Sequence, residues 1–361
     1  MVYRRKNSGP LGGILLKTIS QAARGLHPAY FALVMATGIV SLACHQQGFD
    51  FLAWGLLYLN IGAYGILWVL TVWRAFRFWS FLAADISSHS LAPGYFTIVA
   101  GTGVLGSQVL IIGELPGAAF ILWVATLVLW LGLTYTIFTI LVVKENKPSI
   151  AQGLNGGWLV AVVAAQSASV LGSLLAPQTG SQDLMLLLTF VVWLFGGMLY
   201  IWIISLIFYR YLFFQFLPRD MTPPYWINMG AMAISTLAGA TLIARADGIA
   251  FLQRMLPFIE GLTFFFWATA TWWIPMLVIL AVWRYVYRKF PLSYNPQYWG
   301  AVFPLGMYTA CTYTLAESAQ LTVLLIIPRF FFFIALAAWA VVFTGLIRHM
   351  LRNREGAGGS K

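Results

Sequence analysis

Charge is what this chain has least of: Asp, Glu, Lys and Arg together make up 9% of its 361 residues, and only 10 residues are acidic. A soluble domain carries about a quarter charged residues, so a solvated globular fold is excluded. Two cysteines are too few for a disulfide scaffold. Walker sequences, paired Cys/His metal spacings and a nucleophile elbow are all missing, which removes the nucleotide-driven, zinc-dependent and serine-hydrolase classes. The four histidines, His27, His45, His89 and His349, are scattered. No catalytic residue, metal, cofactor or nucleic-acid partner is expected.

What fills the space is apolar. Hydrophobic residues make up 61% of the chain, and the mean hydropathy is +0.83. A helix needs about 20 apolar residues to cross a bilayer core of about 30 Å. Such stretches fall at 28–45, 51–73, 93–112, 118–143, 155–176, 184–209, 223–244, 256–283, 296–319 and 324–347. The expected fold is an all-α polytopic membrane protein, with ten transmembrane helices as five tandem hairpins in quasi-fivefold arrangement. Residues 27–350 form this domain. Residues 1–26 are expected to be a cytoplasmic segment with a short amphipathic interfacial helix (Ile14, Leu15, Ile19, Ala22 and Ala23 opposite Lys17 and Arg24), and 351–361 a flexible cytoplasmic tail.

The hairpins open alike. Pro28-Ala29-Tyr30-Phe31, Pro93-Gly94-Tyr95-Phe96, Pro223-Pro224-Tyr225-Trp226 and Pro296-Gln297-Tyr298-Trp299 share Pro-x-Tyr-(Phe/Trp), and Asn155-Gly156-Gly157-Trp158 is a weaker copy. A period of about 62–73 residues marks an internal repeat. Of the 21 Lys and Arg, only Arg245, Arg254 and Arg329 lie outside the terminal segments and the loops that follow even helices. Basic loops stay cytoplasmic; both termini are therefore expected inside, in a cell (plasma) membrane.

Odd and even helices differ. Even ones are crowded with bulky apolar residues such as Phe330–Phe333, as lipid contact requires. Odd ones are rich in Gly, Ala, Ser and Thr, which permit close approach or leave a hole. Counted from the leading Pro (or Asn155), position +10 reads Gly38, Gly103, Ala165, Ala233 and Gly306, and position +13 includes Ser41 and Thr309. Two readings stand: helix–helix packing through small residues, or an axial conduit lined by this face, with even helices outside. Position +7 holds Met35, Gly230 and, uniquely, an aromatic ring, Phe303, followed by the helix-kinking Pro304. A ring there either packs or plugs a narrow pore.

The central parts of the odd helices carry no ionisable group, whereas proton-coupled transport ordinarily uses one. Glu260 and Arg329, inside even helices, are expected to pair. Polar atoms from Thr37, Ser107, Gln166, Ser167 and similar residues suggest a neutral path for a weakly held permeant. The basic inner side favours anions.

The run His27–Gly38 (HPAYFALVMATG), Pro93–Thr97 and Trp299–Pro304 resembles the tellurite-resistance/dicarboxylate transporter family, over about 27–350. That family includes bacterial tellurite-resistance proteins, slow-type anion channels of plant guard cells, fungal malate permeases and sulfite efflux pumps. The resemblance implies five hairpins around a pore, homotrimers in the lipid bilayer, passage of small inorganic or organic anions, and occlusion by the ninth-helix Phe, here Phe303. A passive anion channel is the leading expectation. A transporter of C4-dicarboxylates such as malate, of sulfite or of tellurite-type oxyanions, possibly coupled to protons, is the alternative, and a non-transporting membrane scaffold the third.

Overall fold

The computed structural model describes residues 20–358. The expected amphipathic helix lies mostly outside them; residues 20–24 are helical. Among the described residues there are ten long helices and no strand. They are α1 Ala32–Gln46, α2 Asp50–Arg77, α3 Phe96–Ile111, α4 Pro116–Val143, α5 Val160–Leu175, α6 Gln182–Phe213, α7 Ile227–Ile243, α8 Ala250–Val282, α9 Trp299–Ser318 and α10 Ile326–Gly358. α10 thus continues into the stretch expected to be a tail, and 359–361 lie outside the described residues. Nine of the ten are long and apolar enough to cross a membrane. α9 has the length, 20 residues, but Tyr, Thr, Ser and Pro hold its hydropathy down.

The repeated motif builds one local structure five times. Pro28–Phe31, Ala92–Tyr95, Gly156–Leu159, Pro223–Trp226 and Pro296–Tyr298 are single 3₁₀ turns, each leading into an odd helix. Proline suits a first turn because its missing N–H would have no partner there. Where the preceding residue is His27, Asn155 or Asn295, its side chain caps the turn by accepting from the N–H two residues on. Asn155 is therefore a cap, and the third repeat starts at Gly156, one residue later than the motif count assumed. The missing proline has a steric cause: a Cβ at Gly156 would lie 2.5 Å from the Pro224 carbonyl oxygen.

The odd helices close a ring, α1 on α3, α3 on α5, α5 on α7, α7 on α9 and α9 on α1, and the five 3₁₀ turns touch in the same cyclic order. Each even helix packs against its own odd partner outside this ring. Burial follows this layering. In the apolar windows of the first four odd spans 83–94% of residues are buried, against 11–56% in the even ones. Cys44 and Cys311, on the neighbouring α1 and α9, are buried free thiols.

Indole groups tie the layers together. Trp123 Nε1 donates to Ala168 O (3.1 Å), Trp193 Nε1 to Ser235 O (2.8 Å), Trp267 Nε1 to Thr312 Oγ1 (3.1 Å) and Trp339 Nε1 to Thr37 Oγ1 (3.0 Å). Each bond runs from an even helix to the next odd one around the ring. Between α2 and α3, Asn60 Nδ2 takes this part, donating to Gln108 Oε1 at 2.6 Å. Glu260 and Arg329 do not form the expected pair: Arg329 is exposed, and the ion pairs among the described residues are Arg74–Asp85 and His45–Asp50.

Candidate functional site

A cavity of about 120 Å³ lies on the axis of the odd-helix ring. Its wall is ordered in three layers, each with one residue from every odd helix. The innermost is Ile39, Val104, Ser167, Ile234 and Met307; the next Leu42, Ser107, Val170, Leu237 and Ala310; the outermost Gln46, Ile111, Leu174, Thr241 and Thr314. Counted from Pro28, Pro93, Gly156, Pro223 and Pro296 these are positions +11, +14 and +18. That spacing is one face of an α-helix. Extending the face one turn back gives +7, namely Met35, Ala100, Val163, Gly230 and Phe303. All five are buried, and none borders the cavity. The open space therefore ends short of the helical turn that carries Phe303.

The residues singled out in the sequence distribute themselves differently. Gly103 borders the cavity, and its missing Cβ also leaves room for Ser167, which would be 2.9 Å away. Gly38 faces α2 and α3: a Cβ there would meet Val104 Cγ1 at 2.6 Å and Asn60 Nδ2 at 3.1 Å. Gly306 faces α1, with Ile39 Cγ2 at 2.8 Å and Val40 Cγ2 at 3.2 Å. Gly230 forms the notch that receives Pro304, whose Cγ would stand 2.7 Å from a Cβ. Ser41 Oγ donates to Ala53 O on α2 (2.7 Å), and Thr309 Oγ1 to Leu305 O on its own helix (3.0 Å). Ala165 and Ala233 are buried away from the cavity wall, as is Met35. The glycines at +10, Gly38, Gly103 and Gly306, thus mark where neighbouring helices touch, about 100° from the face that looks at the axis.

The hydroxyls follow the same rule. Far from water each must donate to something nearby, and most find a carbonyl on their own helix or an even neighbour. Ser169 bonds Thr189 O (2.8 Å), Gln166 bonds Trp193 O (3.0 Å), and Thr102 bonds Ile98 O (2.7 Å) and Tyr64 OH (2.9 Å). Ser107 and Ser167 alone among the expected polar residues reach the cavity, joined by Gln46, Thr241 and Thr314 at its outer rim. The wall is mainly apolar and contains no Asp, Glu, His, Lys or Arg. Sequence reasoning missed the ten apolar positions and the three polar rim positions here. Continuing the helical face from Phe303 by +4, +7 and +11 would have found them.

A family model, voltage-dependent anion channel (SLAC1), matches residues 25–347. The chain belongs to the SLAC1 family. This agrees with the tellurite-resistance/dicarboxylate transporter grouping to which the first-helix motif points. An uncharacterised transporter of Methanocaldococcus jannaschii is 26% identical over 324 residues, 87% of this chain and 90% of the relative. An uncharacterised membrane protein of Mycobacterium tuberculosis is 39% identical over 153 residues, 42% of this chain and 77% of the relative. A sulfite efflux pump of Arthroderma otae is 22% identical over 353 residues, covering 89% and 90%. The chain is thus a multi-pass membrane protein of an anion-transporting family.

Proposed function

We propose that this protein conducts small anions passively along the ring axis, with Phe303 and Pro304 as the gate. The observation that carries this is the ordered, charge-free wall that ends one turn short of a fully buried aromatic ring. An uncharged wall of this kind holds an ion weakly, as rapid passage requires. Below the ring, five odd helices begin at adjoining 3₁₀ turns. Helix N-termini carry partial positive charge, so this end favours anions over cations. Membrane orientation with both termini cytoplasmic, residence in the plasma membrane and homotrimeric assembly through even-helix surfaces complete the proposal. Gly103 belongs to the conduction path; Gly38, Gly306 and Gly230 act on it by setting helix spacing.

The test is Phe303→Ala. A ring that plugs the path leaves an opening when truncated, and anion current per folded protein should rise severalfold. Turning such a ring aside costs only about 0.5–1.5 kcal/mol when χ is modestly off its rotamer, so small movements of the Pro304 kink suffice to open it. A ring that merely packs costs about 3–5 kcal/mol on truncation. Current and folded protein would then fall together, and the gate would be lost as an explanation. Likeness to a sulfite efflux pump supports a second reading, coupled export of sulfite, dicarboxylate or tellurite-type oxyanions.

A further inference from the structure

Three arginines at the ends of even helices are more than nine-tenths buried: Arg74, Arg210 and Arg284. A buried cation without a partner is strongly unfavourable, and the first two show how this fold satisfies one. Arg74 donates to Asp85 Oδ2 and to Leu26 O, both at 2.7 Å. Arg210 donates to the Tyr225 hydroxyl. Arg284 donates to no described residue. Its Nε is buried without a partner, as in Arg74 and Arg210, but no terminal nitrogen compensates, and its guanidinium rests against the rings of Phe290 (4.3 Å) and Tyr285 (5.0 Å). Asp220, next in the chain to Met221 and Thr222 on the other side of the same groove, accepts from the Leu217 N–H at 2.9 Å.

Arg284 lies in a five-residue π-helical segment, Trp283–Tyr287, that ends α8. Such segments re-aim side chains and recur at functional sites. Here Arg284 borders a groove of about 940 Å³ between α8 and α10, floored by α9 and the 3₁₀ turn that leads into α7. Its wall is apolar (Trp226, Leu305, Val341 and Val342 among others), and the joined hydroxyls of Tyr285 and Tyr298, 2.8 Å apart, sit beside the cation. The outer lip, Ala337 and Val341, is exposed on the membrane-facing side.

We propose that this groove binds an anionic phospholipid, its phosphate on Arg284 and the tyrosine hydroxyls, and an acyl chain along the wall toward Val341. Charge complementarity selects the head group. The apolar walls select a lipid over a soluble anion. The site is independent of the axial cavity, so failure of either proposal leaves the other standing.

Full-length protein in mild detergent is titrated with phosphatidylglycerol or phosphatidylcholine of the same acyl chains, and bound lipid is counted by native mass spectrometry. Phosphatidylglycerol should be retained at least about fivefold better. Arg284→Gln should bring it down to the phosphatidylcholine level. Ala338→Trp fills the groove, keeps the cation, and should abolish retention of both lipids, which covers the case in which Arg284→Gln does not fold. Equal retention of the two lipids, or unchanged preference in a folded Arg284→Gln variant, overturns the proposal. So does displacement of the lipid by millimolar inorganic phosphate, which means a soluble-anion site. Cross-linking of Val341→Cys between chains, with no lipid retained, means that a second copy covers the groove.

Discussion

Gly306 and Met307 are neighbours in sequence, yet one touches α1 and the other lines the cavity. Gly306→Ala must push Ile39 and Val40 aside and should cost about 1–3 kcal/mol of stability, with current per folded channel unchanged. Met307→Cys should be modified by a charged thiol reagent added from the outer side, altering conduction, while Gly306→Cys should resist it. Equal labelling of the two would mean that the conducting face has been misplaced. A second residue, His27, caps the first 3₁₀ turn by accepting the Ala29 N–H on Nδ1 at 3.1 Å. Burial holds its pKa below the ordinary 6.5, with Asp85 opposing the shift and Arg74 adding to it. The native state therefore binds fewer protons than the unfolded chain just below pH 6.5. The cap's contribution, about 1 kcal/mol, is full above that pH and declines as pH falls through it. His27→Asn keeps the cap, as Asn155 and Asn295 do in sister repeats, and should flatten the fall in melting temperature between pH 7 and 5. An identical pH slope in the variant would clear His27 of the effect.

At the level of elements, the even helices do more than shield the ring from lipid. Their indole N–H groups reach carbonyls and hydroxyls of the next odd helix, so each hairpin is pinned to its successor. Trp193 is fully buried and edge-on to Phe266 at 5.7 Å, while its N–H satisfies Ser235 O. Trp193→Phe keeps most of the packing and loses the hydrogen bond. Its expected cost is about 1 kcal/mol, read as a lower melting temperature of the detergent-solubilised protein. Trp193→Ala should cost about 3–5 kcal/mol. Comparable losses for the two variants would show that the hydrogen bond dominates; no loss in Phe would show that it contributes nothing.

For the molecule as a whole, the decisive property is the charge-free axis. Moving a proton with an anion calls for a titratable group that meets both, and the cavity wall supplies none. Reversal potentials measured across a pH gradient should follow the anion gradient alone. A shift with the proton gradient would establish coupling and favour the oxyanion-transporter reading. Under the proposed gating, the five-fold ring also lets one aromatic residue suffice. The other four members of its layer, Met35, Ala100, Val163 and Gly230, need only fill the remaining space around it, and Gly230 does so by admitting Pro304.

The sequence by itself determined the class of fold, the ten long helices and the five-hairpin repeat. Hydrocarbon leaves a backbone no partner but its own helix, so apolar run length and proline-led starts were sufficient. It also marked the odd helices as the inner set, because small residues are needed wherever backbones approach. Only the tertiary structure decided which face of each helix looks at the axis. Small side chains and hydroxyls mark contacts, so Gly38, Ser41 and Gly306 turned toward neighbours, and ordinary apolar residues such as Leu42 and Ile234 were left to line the space. The register of the third repeat was hidden for a related reason: the Pro224 carbonyl lies where a side chain at Gly156 would be, so the residue that anchors the motif elsewhere is absent there. Composition records what a helix can touch, and rotation about its axis is fixed only when its neighbours are in place.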